Sequence, residues 1–286
     1  MKLEDYDTKT HYVAKVLSNE RISSAESADE VREIEIEFES QQFEAHVGQN
    51  IGVLAPGQLA IGQEYHFRLY SIADVPQTSA NGSLRLRLCV RRCSYIDEFS
   101  GEEYPGVASN YLCNLEVGDT LTVTGPYGQA FALPDDNDAT LILICAGTGI
   151  APFRAFVKHI YSNCPAFNGR IWLFHGGQTG LDLLYRNDEK DDFSLYYDRD
   201  TFEAFNALAK RPGWSDRTDW GTTLHARAEE LCTLLSDPKT YVYLAGLKPI
   251  RDELNDVLAE IAGSNQTWFH WQADLEAEGR WIELLY

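Results

Sequence analysis

The sequence has no apolar run approaching the roughly 18 to 20 residues that a membrane-spanning helix requires, which argues against a membrane span. Its six cysteines (Cys89, Cys93, Cys113, Cys145, Cys164 and Cys232) form no C-x-x-C pair and no spaced ligand run, so iron–sulfur or zinc chemistry is not expected from this chain. Most of them lie in apolar stretches such as LRLCV and LILIC and read as small buried hydrophobes. Basic residues are scarce: 24 Lys and Arg stand against 44 Asp and Glu, for a formal net charge of -20. The deficit is even, with 10 basic against 20 acidic residues in 1–134 and 14 against 24 in 135–286, and such a field opposes nucleic acid and anionic membranes. The opening residues MKLEDYDTKTHY are too acidic and polar for a signal or transit peptide, so a cytoplasmic protein is expected. Repeats and low-complexity stretches are missing too. What remains is 286 residues, 44% apolar and 24% charged, enough for two globular cores.

The two halves differ in rhythm. In the first, EIEIEF (33–38), SLRLRLCV (83–90) and DTLTVTGP (119–126) alternate apolar and polar residues, the period of short antiparallel strands that close into a barrel or sandwich. Past Pro134-Asp135-Asp136-Asn137-Asp138 comes the continuous apolar run TLILICAG, then Gly-Thr-Gly and a helical PFRAFVKHIYS. A strand buried on both faces followed by a turn and a helix is the unit of a parallel α/β sheet. RIWLFHGG (170–177), FSLYYD (193–198) and TYVYLAG (240–246) repeat the strand signal, and PIRDELNDVLAEIAG reads as a helix. The expectation is a two-domain protein, an N-terminal antiparallel β-barrel over 1–134 and a C-terminal α/β parallel-sheet nucleotide-binding domain over 135–286.

Three segments carry chemistry. LILICAGTGIAPFRAF (141–156) puts glycines and a threonine between strand and helix, where free backbone N–H groups and the helix dipole attract a phosphate; without the complete G-x-G-x-x-G spacing, a plain tight turn fits equally well. HFRLYSIAD (66–74) offers an arginine for a pyrophosphate, a tyrosine face for a flavin ring and a serine hydroxyl for a ring nitrogen, although a solvated Arg68 and a core-packed Tyr70 satisfy the same pattern. The stretch from Leu88 to Asp119 adds two arginines, a tyrosine and a GVASNYL segment opening a helix, suited to phosphate or to ordinary capping.

Taken together and in order, RLYSIAD, LCVRR, GVASNYLCNLEVGD, TVTGPYG, GTGIAPFRAF, LFHGG, LLYRN, YVYLAGLK and the closing tyrosine resemble the plant-type, FAD-dependent ferredoxin–NADP reductase family from about Tyr12 to Tyr286. The resemblance implies that Arg68, Tyr70 and Ser71 bind FAD, with Tyr70 on one isoalloxazine face and Ser71 near N5. It implies Tyr95 under the adenine, Ser109 with the Val107 and Ala108 amides at the pyrophosphate or ring edge, and Gly147, Thr148 and Gly149 at the nicotinamide dinucleotide. Leu69, Cys89, Val90, Arg91, Gly106, Gly246 and Leu247 are further cofactor-binding positions that it implies. Tyr286 would cover the second flavin face until the coenzyme displaces it, and Ser71, Tyr286 and Glu283 are the implied catalytic residues.

Departures accompany the match. Ala245 replaces the family's usual cysteine, and Leu284 stands where a glutamate is usual, with Glu283 one place earlier; strand alternation turns Glu283 to the other side. For the NADP 2'-phosphate, Lys210, Arg211 and Arg217 supply charge and Trp220 a stacking plane, without the family's serine, and a solvated loop fits these residues nearly as well. The implied reaction passes electrons between NADP(H) and a one-electron carrier, ferredoxin or flavodoxin, through FAD in a monomer. The acidic surface disfavours an acidic ferredoxin unless Arg85, Arg87, Arg91 and Arg92 form a basic patch. Service to an oxygenase, or a catalytically silent flavin- or nucleotide-binding module, are the alternatives.

Overall fold

A computed structural model describes residues 3–39, 43–57, 64–128, 131–212 and 217–286. The first half contains β1 (Tyr12–Arg21), β2 (Val31–Phe38), β3 (Asn50–Pro56), β4 (Tyr65–Ser71), β5 (Gln77–Thr78), β6 (Leu84–Arg91), the hairpin β7 (Ser94–Ile96) and β8 (Glu103–Pro105), helix α1 (Val107–Asn114) and β9 (Thr120–Tyr127). Seven of these strands form one antiparallel sheet in the order β4-β3-β9-β1-β2-β6-β5. A bridge between Ile72 and Leu88 joins the two flanks and closes the sheet into a barrel. Alternation dictates its core: Ile34, Ile36 and Phe38 of β2 and Leu86, Leu88 and Val90 of β6 point inward and are almost fully buried.

The intervening residues of β2 and β6 point outward in cross-strand register, Glu35 opposite Arg87 and Glu37 opposite Arg85. Arg85 reaches Glu37 at 2.9 Å, Arg87 reaches Glu33 and Glu35 at 3.2 Å each, Arg92 reaches Glu30 at 2.9 Å and Arg91 reaches Asp29 at 3.2 Å. The four arginines considered as a basic patch are therefore each matched by a carboxylate, and they do not form one. Glu30 is held at a pKa of about 2, first by the Arg92 hydrogen bond and then by that of Arg32, against the opposing effect of burial. A carboxyl depressed by folding stabilises above its unfolded pKa and loses that contribution as pH falls through the folded value. Glu30→Gln is accordingly expected to be less stable than the parent at pH 7, with the gap closing between about pH 4.5 and 2 in parallel urea titrations; a gap independent of pH would show that these bonds add nothing.

The second half contains β10 (Thr140–Ala146), α2 (Ile150–Asn163), β11 (Ile171–Gly177), β12 (Phe202–Leu208), α3 (Trp220–His225), α4 (Ala228–Leu235), β13 (Thr240–Gly246), α5 (Pro249–Ile261), α6 (Asn265–Ala277) and β14 (Trp281–Leu285). All five strands pair in parallel in the order β12-β11-β10-β13-β14. One face packs on α2 and the barrel side, the other on α3 to α6, so every residue of β10 from Thr140 to Cys145 is buried, as its unbroken apolar run requires. FSLYYD is not the third strand. Residues Phe193–Tyr196 form a 3-10 turn that buries Phe193 and leaves Leu195 exposed, and the strand is the following FEAFNAL. No helix among the described residues is long and apolar enough to cross a membrane.

The junction between barrel and sheet is held by charge. Arg154 on α2 is 4% exposed and lies 3.3 Å from Glu33 and 3.2 Å from Asp74, donates to the Ala73 carbonyl at 2.7 Å and also bonds Asp192. Lys158 meets Asp74 at 2.7 Å, and Lys190 meets Glu33. Burial opposes the charged form of Asp74, but the Arg154 charge and the Lys158 hydrogen bond outweigh it and keep its pKa below the ordinary value.

Candidate functional site

In a parallel sheet the ligand crevice opens where the chain leaves the sheet in opposite directions. Here that place is the carboxyl end of β10 and β13, because β11 and β12 lie to one side and β14 to the other. Gly147-Thr148-Gly149 makes a 3-10 turn there and feeds α2, whose start carries no side-chain cap. Gly147 has φ +55° and open space where a side chain would stand. A Cβ on Gly149 would lie 2.2 Å from the Ala245 carbonyl oxygen, so only glycine lets the turn sit against β13. Gly246 ends β13 and Leu247 is 47% exposed beside it.

The last residue returns to this crevice. The Tyr286 amide bonds the Gly246 carbonyl at 3.2 Å, and its hydroxyl lies 2.7 Å from the Thr148 hydroxyl. Its ring is 52% exposed, yet the hydroxyl end is desolvated, which pushes its pKa up to about 12 with Cys89 and Arg91 among its electrostatic neighbours. The Gly147–Gly149 turn touches β6, the strand that carries those two residues. Through Thr148, Tyr286 is held on the turn that touches the barrel.

On the barrel side, Tyr70 lies on β4, whose end adjoins β6 through the Ile72–Leu88 bridge. It is half-buried against the barrel core, and desolvation, with Cys113 and Cys93 nearby, raises its pKa. Ser71 donates to Asn50 Oδ1 at 2.9 Å, Leu69 is half-buried, and Arg68 is exposed with one donor on the Phe67 carbonyl. Cys89 and Val90 are buried side chains facing opposite cores, so they can meet a ligand only through backbone; Arg91 is half-buried on Asp29. Gly106, Val107 and Ala108 open α1 with no side-chain cap on its first turn, and Ser109 Oγ instead accepts from the Cys93 amide at 3.2 Å. Tyr95 stands 53% exposed on the hairpin.

Other expected residues fall elsewhere. Glu283 is on the opposite sheet face from Leu284, ion-paired with Arg251 and accepting from the Trp281 indole at 2.7 Å. Leu284 pairs directly with Ala245, so the two departures from the family pattern are cross-strand neighbours forming one apolar patch. Trp220 is 2% exposed, packed where Gly176 leaves room, and has no free face for stacking. Lys210 is 70% exposed and 3.3 Å from Asp219, and Arg217 is 76% exposed and 3.7 Å from Glu253; Arg211 is also exposed. Asn50 and Asp219 were not anticipated, because their signal is a partner rather than a motif.

Comparison with known proteins agrees with this fold. Residues 14–131 match the oxidoreductase FAD-binding domain and residues 143–255 the oxidoreductase NAD-binding domain. The chain is 33% identical to a ferredoxin–NADP reductase of Synechocystis sp. over 96% of its own length and 68% of that protein. It is 31% identical to the Spirulina sp. enzyme of that name, over 96% and 95% respectively. The solved structure of the Plasmodium falciparum ferredoxin–NADP+ reductase superposes with a TM-score of 0.74 at 23% identity, covering 99% of this chain and 98% of that one, which supports the shared fold.

Proposed function

The chain belongs to the ferredoxin–NADP reductase family, and on that premise we propose that it is an FAD-dependent reductase passing electrons between NADP(H) and a one-electron carrier, with ferredoxin the carrier and flavodoxin an equivalent one. The observation that carries this reading is the bond of Tyr286 to Thr148 on a turn of the parallel sheet that touches β6 of the barrel, the strand that the end of β4, with Tyr70, adjoins. Bound flavin would supply the exchange between hydride and single-electron chemistry; the protein supplies the rest.

The residues present fit that group. Uncapped amides of α1 and the outward Arg68 suit a pyrophosphate. Tyr70 offers a half-buried aromatic face, and Ser71, its proton committed to Asn50, presents lone pairs as an acceptor at the ring edge. The uncapped start of α2 with Gly147 suits the coenzyme's phosphates. Tyr286 occupies the place of the nicotinamide, held by Thr148, and must swing out to admit it. The Ala245–Leu284 patch excludes water there without offering a proton, and Glu283, tied to Arg251, takes no part. All these groups come from one chain, which is consistent with a monomer.

Mixing with NADPH and NADH in parallel, followed by stopped-flow flavin bleaching, tests the reading. Lys210 and Arg217, 70% and 76% exposed beside their carboxylate partners, bring positive charge to the segment after β12, so NADPH is expected to bleach the flavin faster by about tenfold, equivalent to roughly 1.4 kcal/mol. Equal or reversed rates would remove the coenzyme assignment. A yellow protein that neither coenzyme bleaches would remove the enzyme and leave a silent flavin module.

A further inference from the structure

On the premise that the seam holds FAD, we propose that Tyr104 is a second adenine-binding residue, forming with Tyr95 a clamp that grips both faces of the base. Tyr95 and Tyr104 are directly opposed across the β7–β8 hairpin, so both side chains rise from one face of it. Their rings are stacked at 5.9 Å between centroids and 29° between planes. Tyr95 is 53% exposed and Tyr104 40%, and neither belongs to a hydrophobic core of either domain. Two large aromatic faces therefore stand in water, an arrangement that marks a binding surface more than a folding contact.

The hairpin is also in the right place. Its base is stapled to the start of α1: the Gly106 amide bonds the Cys93 carbonyl at 2.8 Å, the Cys93 amide bonds Ser109 Oγ at 3.2 Å, and Asn110 Nδ2 donates to the Cys93 carbonyl at 2.8 Å. An adenosine tethered to a pyrophosphate on the α1 amides lies within reach of the adjoining strands. The Tyr104 hydroxyl donates to Glu102 at 2.7 Å, which orients the ring from its outer edge, and Ser94 bonds Glu103 across the base of the hairpin. A base inserted between two rings needs about 7 Å between their planes, two contacts of roughly 3.5 Å, so the pair, now 5.9 Å between centroids, opens to admit it.

The alternatives are that Tyr104 only braces the short ladder beneath it, which serves both flavins alike and is separated by the choice of flavin, or that it only supports Tyr95, in which case Tyr104→Val would add no further FAD weakening in a Tyr95→Val background. Tyr104→Val keeps a strand-favouring residue and removes the ring; Tyr104→Phe keeps the ring and removes the hydroxyl. Flavin release on dilution of each holoenzyme is read from the rise in flavin fluorescence, once with FAD and once after exchange for FMN, which lacks adenine. Base–aromatic stacking is worth about 1–3 kcal/mol, so Tyr104→Val is expected to raise the FAD dissociation constant by roughly tenfold or more, leave that of FMN unchanged, and be rescued by Tyr104→Phe. Unchanged FAD affinity, or equal weakening of FAD and FMN, would overturn the clamp. A parent protein that holds neither flavin would instead bring down the flavin reading itself.

Discussion

Arg154→Ala is expected to lower the unfolding free energy by about 3 kcal/mol, near the bottom of the range for removing one partner of a buried ion pair. The guanidinium is 4% exposed and serves Glu33, Asp74 and Asp192 together, with a further bond to the Ala73 carbonyl. Its loss strands carboxylates that are themselves 4–5% exposed, and buried charge without a counter-charge is what makes such deletions costly. The value stays low in the range because Lys158 and Lys190 continue to face Asp74 and Glu33. Arg154→Lys keeps the charge without the forked geometry and should fall between parent and alanine. Denaturant midpoints at pH 7 provide the measurement, and an alanine variant within about 0.5 kcal/mol of the parent would mean that water or rearrangement already screens the junction.

Tyr286→Ser is expected to tighten binding of the nicotinamide end of both coenzymes and to narrow the preference for NADPH over NADH. The ring is joined to Thr148 through its hydroxyl and to Gly246 through its amide, so a coenzyme entering the crevice must first displace an aromatic contact worth about 1–1.5 kcal/mol plus a hydrogen bond of similar size. Removing both corresponds to a gain of roughly thirtyfold to a hundred-and-fiftyfold in affinity. NADH, which lacks a 2'-phosphate to anchor its far end, depends more on the nicotinamide contact and gains the larger share. Difference-spectral titration with each oxidised coenzyme measures this, and unchanged constants for both would mean that the ring does not occupy the nicotinamide's place.

Much of this architecture was legible in the sequence because it is written in period and punctuation. The two-residue rhythm of EIEIEF and SLRLRLCV specified β2 and β6, and the unbroken TLILIC specified a strand buried on both faces. FSLYYD misled because a short aromatic-rich run satisfies a compact turn as well as a strand; Phe193 docks inward and Tyr196 packs on Tyr161, while Leu195 and Tyr197 stay exposed. Pairing across distance was the harder part. Arg85 and Arg87 looked like free positive charge, since the acids that neutralise them lie some fifty residues away and meet them only once the register is known. Trp220 looked like an open plane because nothing in its own neighbourhood announces the slot that Gly176 provides. For Glu283 strand parity sufficed, and the side chain does point away from Leu284.

The fourteen-residue helix α2 begins at the coenzyme turn and carries Arg154 in its second turn. About 7 Å of rigid rod, at 1.5 Å per residue, separates the Gly147–Gly149 turn from the bolt that fixes the barrel. A tilt of one half against the other is therefore transmitted directly to Thr148 and the hydroxyl it holds, so the crank that sets the angle between the halves also sets the latch on the entrance.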